Sequence, residues 1–233
     1  MNNIQDEFIS TVSHELRTPL TSIRGFSQTL LNSWDKIKDE DKKKFIGIIS
    51  DQSERLIHLV ENILSVSKAN ASTSILKQVD INSSIEKIIQ MFPGVNIKLN
   101  LAKNLPSAHL DDDKFQQIMT NLIDNARKYS EIGKEINIST GVSADKIFIR
   151  VKDEGVGIKE EDFHKVFQKF SRLENHLTSK TQGNGLGLYI TKQLTEAMGG
   201  EISFKSEFER GTEFQVLFPI YNPEEVLKCS HQS

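Results

Sequence analysis

The 233-residue sequence holds one cysteine, Cys229, close to its C-terminal end. A single thiol excludes a disulfide scaffold and any multi-cysteine metal cluster. There is no run of 18 apolar residues, so no segment reads as a membrane-spanning helix. Met1 to Glu7 contain no basic stretch leading into an apolar one, so they do not read as a signal peptide. Neither sign of charge dominates. The 29 Lys and Arg stand against 32 Asp and Glu, a balance that argues against a protein held to nucleic acid by bulk positive charge. What the chain does have is 37% hydrophobic and 26% charged residues, enough for a packed core and too many apolar groups for wholesale disorder. The expectation is a soluble, cytoplasmic protein of one large or two small domains, or the soluble part of a longer chain.

Glycine and proline are scarce in residues 1–68, where Gly25, Gly47 and Pro19 are the exceptions. Ile9, Val12, Leu16, Pro19, Ile23, Phe26 and Leu30 recur at steps of three and four, and so do Phe45, Ile49, Gln52, Leu56, Leu59, Ile63 and Val66. Both series are seams of period 3.5, the pattern of helices that pack lengthwise. Phe8, Leu20, Ile46, Ile48 and Val60 flank them, and a face that wide suits a four-helix bundle. Two helices cannot bury such a face alone. The spacing therefore predicts a helical hairpin that dimerises through a four-helix bundle, the alternative being a hairpin packed onto the rest of its own chain.

Ala69 to Ser74 are small and polar, and residues 69–75 read as a linker. Beyond them the period changes. Helices are expected at 81–92, at 112–129 behind the acidic run Asp111-Asp112-Asp113, and at about 185–198, stopped by Gly199-Gly200. β-Branched alternation marks strands at 95–101, 135–140, 146–153, 201–206 and 212–219, with Gly141 to Asp145 as a hairpin loop. Sequence-adjacent strands mixed with helices indicate an α+β sandwich over residues 76–221, one mixed sheet with helices on one face. Residues 222–233 form a tail.

Four segments could carry chemistry. In Ser13-His14-Glu15-Leu16-Arg17-Thr18-Pro19-Leu20, His14 lies furthest from the seam. An exposed imidazole is substantially neutral at pH 7, which leaves one ring nitrogen as a nucleophile. A neighbouring carboxylate such as Glu15 can accept the other nitrogen's proton. Thr18 is one turn on, on the same face. A proline inside a helix costs about 3 kcal/mol, and a kink at Pro19 is expected. A plain solvated histidine remains the alternative. Asn121, Asn125 and Lys128 share one face of the second predicted sandwich helix. They suit Mg²⁺ and phosphate, or an ordinary polar helix face. Asp153-Glu154-Gly155-Val156-Gly157 follows a strand, where a buried carboxylate can accept from the amino group of adenine. An ordinary glycine turn would look the same. Gly183-Asn184-Gly185-Leu186-Gly187 leads into a helix whose amides could cradle phosphates. No Walker or Rossmann glycine motif is present.

In this order the segments resemble the catalytic core of a bacterial sensor histidine kinase over roughly residues 4–220. Ser13 to Leu20 matches the H-box and Asn121 to Tyr129 the N-box. Asp153 to Gly157 is similar to the first glycine box, Phe163/Phe167/Phe170 to the F-box, Gly183 to Gly187 to the second glycine box, and Gly211-Thr212-Glu213-Phe214 to the last. The resemblance implies a dimerisation and phosphoacceptor hairpin at 1–68 and an ATP-binding sandwich of the GHKL type at 76–221. It implies autophosphorylation of His14 from ATP, with Glu15 as general base or orienting carboxylate and Thr18 placing water for phosphatase activity. It gives Asn125 to Mg²⁺, with Asn121 and Lys128 near metal and phosphates and Tyr129 beside the nucleotide. Asp153, Gly155 and Gly157 fall to adenine, Gly183, Gly185 and Gly187 to the phosphates, and Arg172 to the γ-phosphate. Residues 171–182 resemble a lid over ATP. Asn184 departs from the Thr or Ser more usual there. The implied partners are a second copy of the chain and a response-regulator receiver domain; nucleic acid and membrane contact from this segment are not expected. Rival readings are a GHKL ATPase machine that clamps and hydrolyses without a phosphorylated residue, and a phosphatase or nucleotide-sensing adaptor.

Overall fold

The computed structural model describes residues 2–71, 76–171 and 185–221. Contacts divide the chain into two compact units, Met1–Ser67 and Lys68–Ser233.

The first unit is a pair of long helices, α1 (Asn2–Ser33) and α2 (Asp39–Ala71), joined by a 3₁₀ turn over Trp34–Lys36. Asp39, Glu40 and Asp41 occupy the first turn of α2, where negative charge meets the positive end of the helix dipole. Pro19, Leu30 and Leu59 of the two seams are buried, and the ring of Phe26 meets that of Phe45 at 5.1 Å. Of the flanking residues, Leu20, Ile46 and Val60 are at least 40% exposed, as are Ile57 and Leu64, while Ile48 is half-buried and the Phe8 side chain lies outside the described residues. The other described seam residues, among them Val12, Leu16, Ile23, Ile49 and Leu56, are only half-buried, so apolar surface on both the seam and its flank stays open to water. α1 runs helically through Pro19. α2 continues through Ala69, Asn70 and Ala71, so the expected linker starts later than its composition suggests. Alanine is the best helix former, and small, polar residues are compatible with a helix end as well as a linker. The rest of that linker lies outside the described residues, as does the tail at 222–233.

The second unit is built on a five-stranded mixed sheet in the order β2-β4-β5-β7-β6. These strands are β2 (Ile97–Asn100), β4 (Ile136–Ser143), β5 (Lys146–Lys152), β6 (Glu201–Glu207) and β7 (Gly211–Pro219). β2 runs parallel to β4 and every other neighbour is antiparallel. Strict alternation makes one face of the sheet apolar: Ile136 and Ile138, then Ile147, Ile149 and Val151, then Phe214, Val216 and Phe218 are buried. The helices α3 (Ile81–Ile89), α4 (Asp112–Tyr129) and α5 (Gly187–Ala197) bury Ile85, Ile118, Leu122, Ile123, Ile190 and Leu194. Phe115 of α4 stands edge-on to Phe218 of β7 at 6.1 Å. Asp80 and Asp111 cap α3 and α4 by accepting from the amides of Ser83 and Lys114. α5 stops at the glycine pair, where Gly199 has φ +71 and Gly200 N–H returns to the Thr195 carbonyl.

Two features differ from the sequence expectation. β4 and β5 extend to Ser143 and back from Lys146, leaving only Ala144 and Asp145 as the turn. Gly141 is a strand residue, because the Phe148 ring lies where its Cβ would be. A second, two-stranded sheet pairs β1 (Lys77–Val79) with β3 (Ala108–Leu110). Each is three residues long, too short for alternation to register.

Candidate functional site

In the helical unit His14 is exposed and its ring bonds to nothing among the described residues. Glu15, the next residue, accepts from Arg55 of α2 at 3.3 Å rather than from His14. The Thr18 hydroxyl is exposed and donates to the His14 carbonyl at 3.3 Å, the back-bond usual for a helical threonine.

In the sandwich, α4 brings three of the expected residues to one face, but with unequal freedom. Asn121 donates from Nδ2 to the carbonyl of Gly187 (3.3 Å) and lies 3.4 Å from the Thr191 hydroxyl. Its amide ties α4 to the first turn of α5, so it supports the glycine box. Thr191 is fully buried and donates to the same Gly187 carbonyl. Lys128 is held by Asp124 at 2.5 Å, and Arg127 takes the other Asp124 oxygen at 2.7 Å. Burial is the largest single influence and pushes the Asp124 carboxyl up, but the two cations and their hydrogen bonds together outweigh it and hold the carboxyl below its ordinary range. Asn125 is different. Its amide has no partner among the described residues, and Nδ2 is fully buried. An unpaired buried polar group is costly, and it fits a site whose ligand completes the bonding.

Asp153 closes β5 and is 4% exposed. Its Oδ1 accepts from the amides of Gly155 (2.8 Å) and Thr212 (3.1 Å). Its Oδ2 has no partner among the described residues. Burial pushes the carboxyl up to about 6, with the two amide bonds opposing.

The glycines serve different ends. A Cβ at Gly155 would strike the Tyr129 carbonyl, and one at Gly157, whose φ is +63, would strike that of Glu207. The chain packs against itself at both positions, which is reason enough for glycine at each. The same Tyr129 carbonyl accepts from Val156 N–H, which ties the turn to the end of α4. Gly185, with φ +66, fits against the backbone of Phe170 and Ser171. Among the described residues a Cβ at Gly187 would meet nothing nearer than 3.8 Å, so their packing does not require glycine there. Phe163 and Phe167 pack edge-on against Phe204 at 5.0 and 5.7 Å, in a cluster with Phe214. Arg172, Gly183, Asn184 and the expected lid lie outside the described residues.

Sequence reading passed over Arg55, Asp124 and Thr191. Asp124 was legible, being three and four residues before a cation of opposite sign. Arg55 pairs across 40 residues, and no local pattern announces it.

The donor set fits a magnesium nucleotide: a free amide on α4, a free oxygen on a buried carboxylate, and an open glycine at a helix start. Two outcomes follow. Gly187→Ala should keep the melting temperature, since alanine favours a helix, while weakening ATP about tenfold or more in calorimetry. Gly157→Ala should lower stability by about 1–3 kcal/mol. The reverse pattern would remove Gly187 from the site. Second, carbon NMR of the Asp153 carboxyl should show titration near 6, falling when ATP saturates the protein, because a bound amino donor favours the charged form. In the free protein this group costs stability as pH rises from 3.8 to about 6, where the folded state holds more protons. A titration indifferent to ATP would place the adenine elsewhere.

Family models match the two units in turn. Residues 4–72 match the His Kinase A (phospho-acceptor) domain, and residues 110–222 match the histidine kinase-, DNA gyrase B- and HSP90-like ATPase domain. Sensor protein SrrB of Staphylococcus aureus (strain NCTC 8325 / PS 47) is 34% identical over 94% of this chain, and the match covers 39% of SrrB. The chain thus spans about two fifths of the curated relatives it matches. Among solved structures, Acinetobacter baumannii histidine kinase AdeS shares 25% identity with a TM-score of 0.72, over 90% of this chain and 98% of that one. Histidine kinase ThkA, solved in complex with response regulator protein TrrA, shares 25% with a TM-score of 0.74, over 94% and 62%. With a phospho-acceptor-type helical hairpin followed by an ATPase-type sandwich, the chain belongs to the bacterial two-component sensor histidine kinases, of which it forms the catalytic core.

Proposed function

We propose that the chain uses Mg·ATP to phosphorylate His14 and passes the phosphoryl group to an aspartate of a response-regulator receiver domain. The observation that carries this is one chain holding an exposed, unbonded imidazole on the phospho-acceptor hairpin and, in the sandwich, the Asn125 amide and Asp153 Oδ2 among the polar groups without partners.

ATP is bound by the sandwich. Asp153 Oδ2 accepts from the adenine amino group, and Gly185 and Gly187 at the head of α5 face the phosphates; the family resemblance assigns Arg172 and Gly183, outside the described residues, to the same phosphates. Asn125 offers its amide oxygen to Mg²⁺, which when bound supplies charge neutralisation on the phosphates. Lys128 reaches the phosphates only by leaving Asp124, an exchange of one ion pair for another. Tyr129 lines the nucleotide side of the α4 end. At the acceptor, one imidazole nitrogen of His14 attacks the γ-phosphorus, and Glu15 takes the proton of the other nitrogen. The protein's share is mostly positioning and charge stabilisation, because phosphoryl transfer needs little covalent help.

The exposed stripe of Leu20, Ile46, Ile57, Val60 and Leu64 supports a homodimer in which two hairpins form a four-helix bundle. The ThkA–TrrA complex supports a response regulator as partner. No described helix is long and apolar enough to cross a membrane. With SrrB more than twice as long as the matched region, we read the chain as the cytoplasmic portion of a larger sensor. The rival reading, an ATPase clamp without a phosphorylated residue, leaves the phospho-acceptor match at 4–72 unexplained.

Incubation with γ-labelled ATP should give acid-labile, alkali-stable label on the wild type and none on His14→Gln, whose ATP affinity stays unchanged. Stoichiometric label on the variant would overturn the assignment. Thr18 carries the phosphatase half. Its bond to the His14 carbonyl is long, and the hydroxyl remains exposed and able to hold a water. Thr18→Ala should keep autophosphorylation within about twofold and slow dephosphorylation of the phosphorylated regulator by about tenfold or more. Equal loss of both activities, with a lower melting temperature, would reduce Thr18 to a helix-stabilising role.

A further inference from the structure

Arg55 has no part in the reaction as written above, yet it holds the residue on which proton removal depends. From α2 it donates Nη2–H to Glu15 Oε2 at 3.3 Å. Both partners are part-buried, with side chains 25% and 32% exposed. Glu15 directly follows His14 on α1, and adjacent helical residues point apart. The carboxylate is turned toward α2, and among the described residues no side chain bonds the His14 ring.

We infer that Arg55 is a positioning residue that withholds Glu15 from His14, so that phosphorylation requires the carboxylate to exchange the guanidinium for the imidazole N–H. This rests on the reading of Glu15 as the proton acceptor. In that step a ring nitrogen forms the N–P bond and the bond from the γ-phosphorus to its bridging oxygen breaks. ADP leaves with the electron pair. The proton on the second ring nitrogen moves to Glu15, which leaves the phosphorylated ring neutral. Arg55 neither gains nor loses a proton; it sets how often the carboxylate is available. A single bond of 3.3 Å between part-exposed groups is weak enough to be broken in each turnover, since such pairs contribute little net stability. It is also directional enough to keep the carboxylate on α2 between turnovers.

The competing role is a plain tie between α1 and α2. The two separate in a mutant cycle read by initial rates of label incorporation from saturating γ-labelled ATP into the whole chain. Arg55→Met should raise the rate by up to about fivefold, the scale of one part-exposed ion pair, and leave KM for ATP unchanged. Arg55→Lys, which keeps a cation within reach, should restore the slower wild-type rate. Glu15→Gln should be slow, and adding Arg55→Met to it should change nothing, because Arg55 acts only through that carboxylate. A slower Arg55→Met, or the same factor with and without Glu15, would overturn the inference and leave the tie. Arg55→Gln gives the same reading if the methionine variant aggregates. Should Glu15→Gln run at the wild-type rate, the proton-acceptor reading falls first and takes this one with it. A slow Glu15→Gln beside an unaccelerated Arg55→Met removes the withholding role alone.

Discussion

The sandwich is organised around a buried negative charge. Asp153 stands at the end of β5 with almost no exposure, where a carboxylate is tolerated only if its oxygens are bonded. One oxygen takes two backbone amides, from Gly155 in its own turn and from Thr212 across the sheet in β7. Those bonds fix the turn after β5 against the neighbouring strand. They also force small residues nearby: a Cβ on Gly211 would strike the Asp153 carbonyl, and one on Gly155 the Tyr129 carbonyl. Gly155 and Gly211 are thus glycine because the chain packs closely around this turn. What the packing leaves over is the second oxygen, and it gives the proposed adenine contact its place.

The same turn is carried to the rest of the site by α4. Val156 N–H bonds the Tyr129 carbonyl at the end of that helix. Two turns earlier, Asn121 and Thr191 both engage the Gly187 carbonyl at the head of α5. Asn125 lies between these anchors with its amide unspent. The proposed nucleotide residues on either side of it are therefore set by bonds to a single helix, which is the rigid support that positioning catalysis needs. Asp124 adds a restraint of another kind, holding Lys128 and Arg127 in a fork that a triphosphate would have to compete with.

Much of this was legible in the residues. Periods of 3.5 and 2 gave the hairpin and the sheet, because one face of each element is apolar and the other is not. The acidic run before α4 and the glycine pair after α5 marked helix ends through capping and dipole. The order of the boxes pointed to the family, which the domain matches then showed. What stayed hidden was tertiary. Gly141 looked like a loop residue because the Phe148 ring that excludes its side chain lies on the next strand. Arg55 met Glu15 only once two helices were laid side by side. The division of labour among the glycines, some demanded by the chain and Gly187 left open, needed coordinates at every one of them.

The central claim is that the unpaired oxygen of Asp153 reads the amino group of adenine. The most direct measurement compares the affinity of the whole chain for ATP with that for purine riboside triphosphate, which differs only by lacking that amino group. A hydrogen bond to a buried charge is worth about 1.5–3 kcal/mol, so ATP should bind at least about tenfold more tightly. Equal affinities for the two nucleotides would contradict the claim, leaving Asp153 as the organiser of a turn and nothing more.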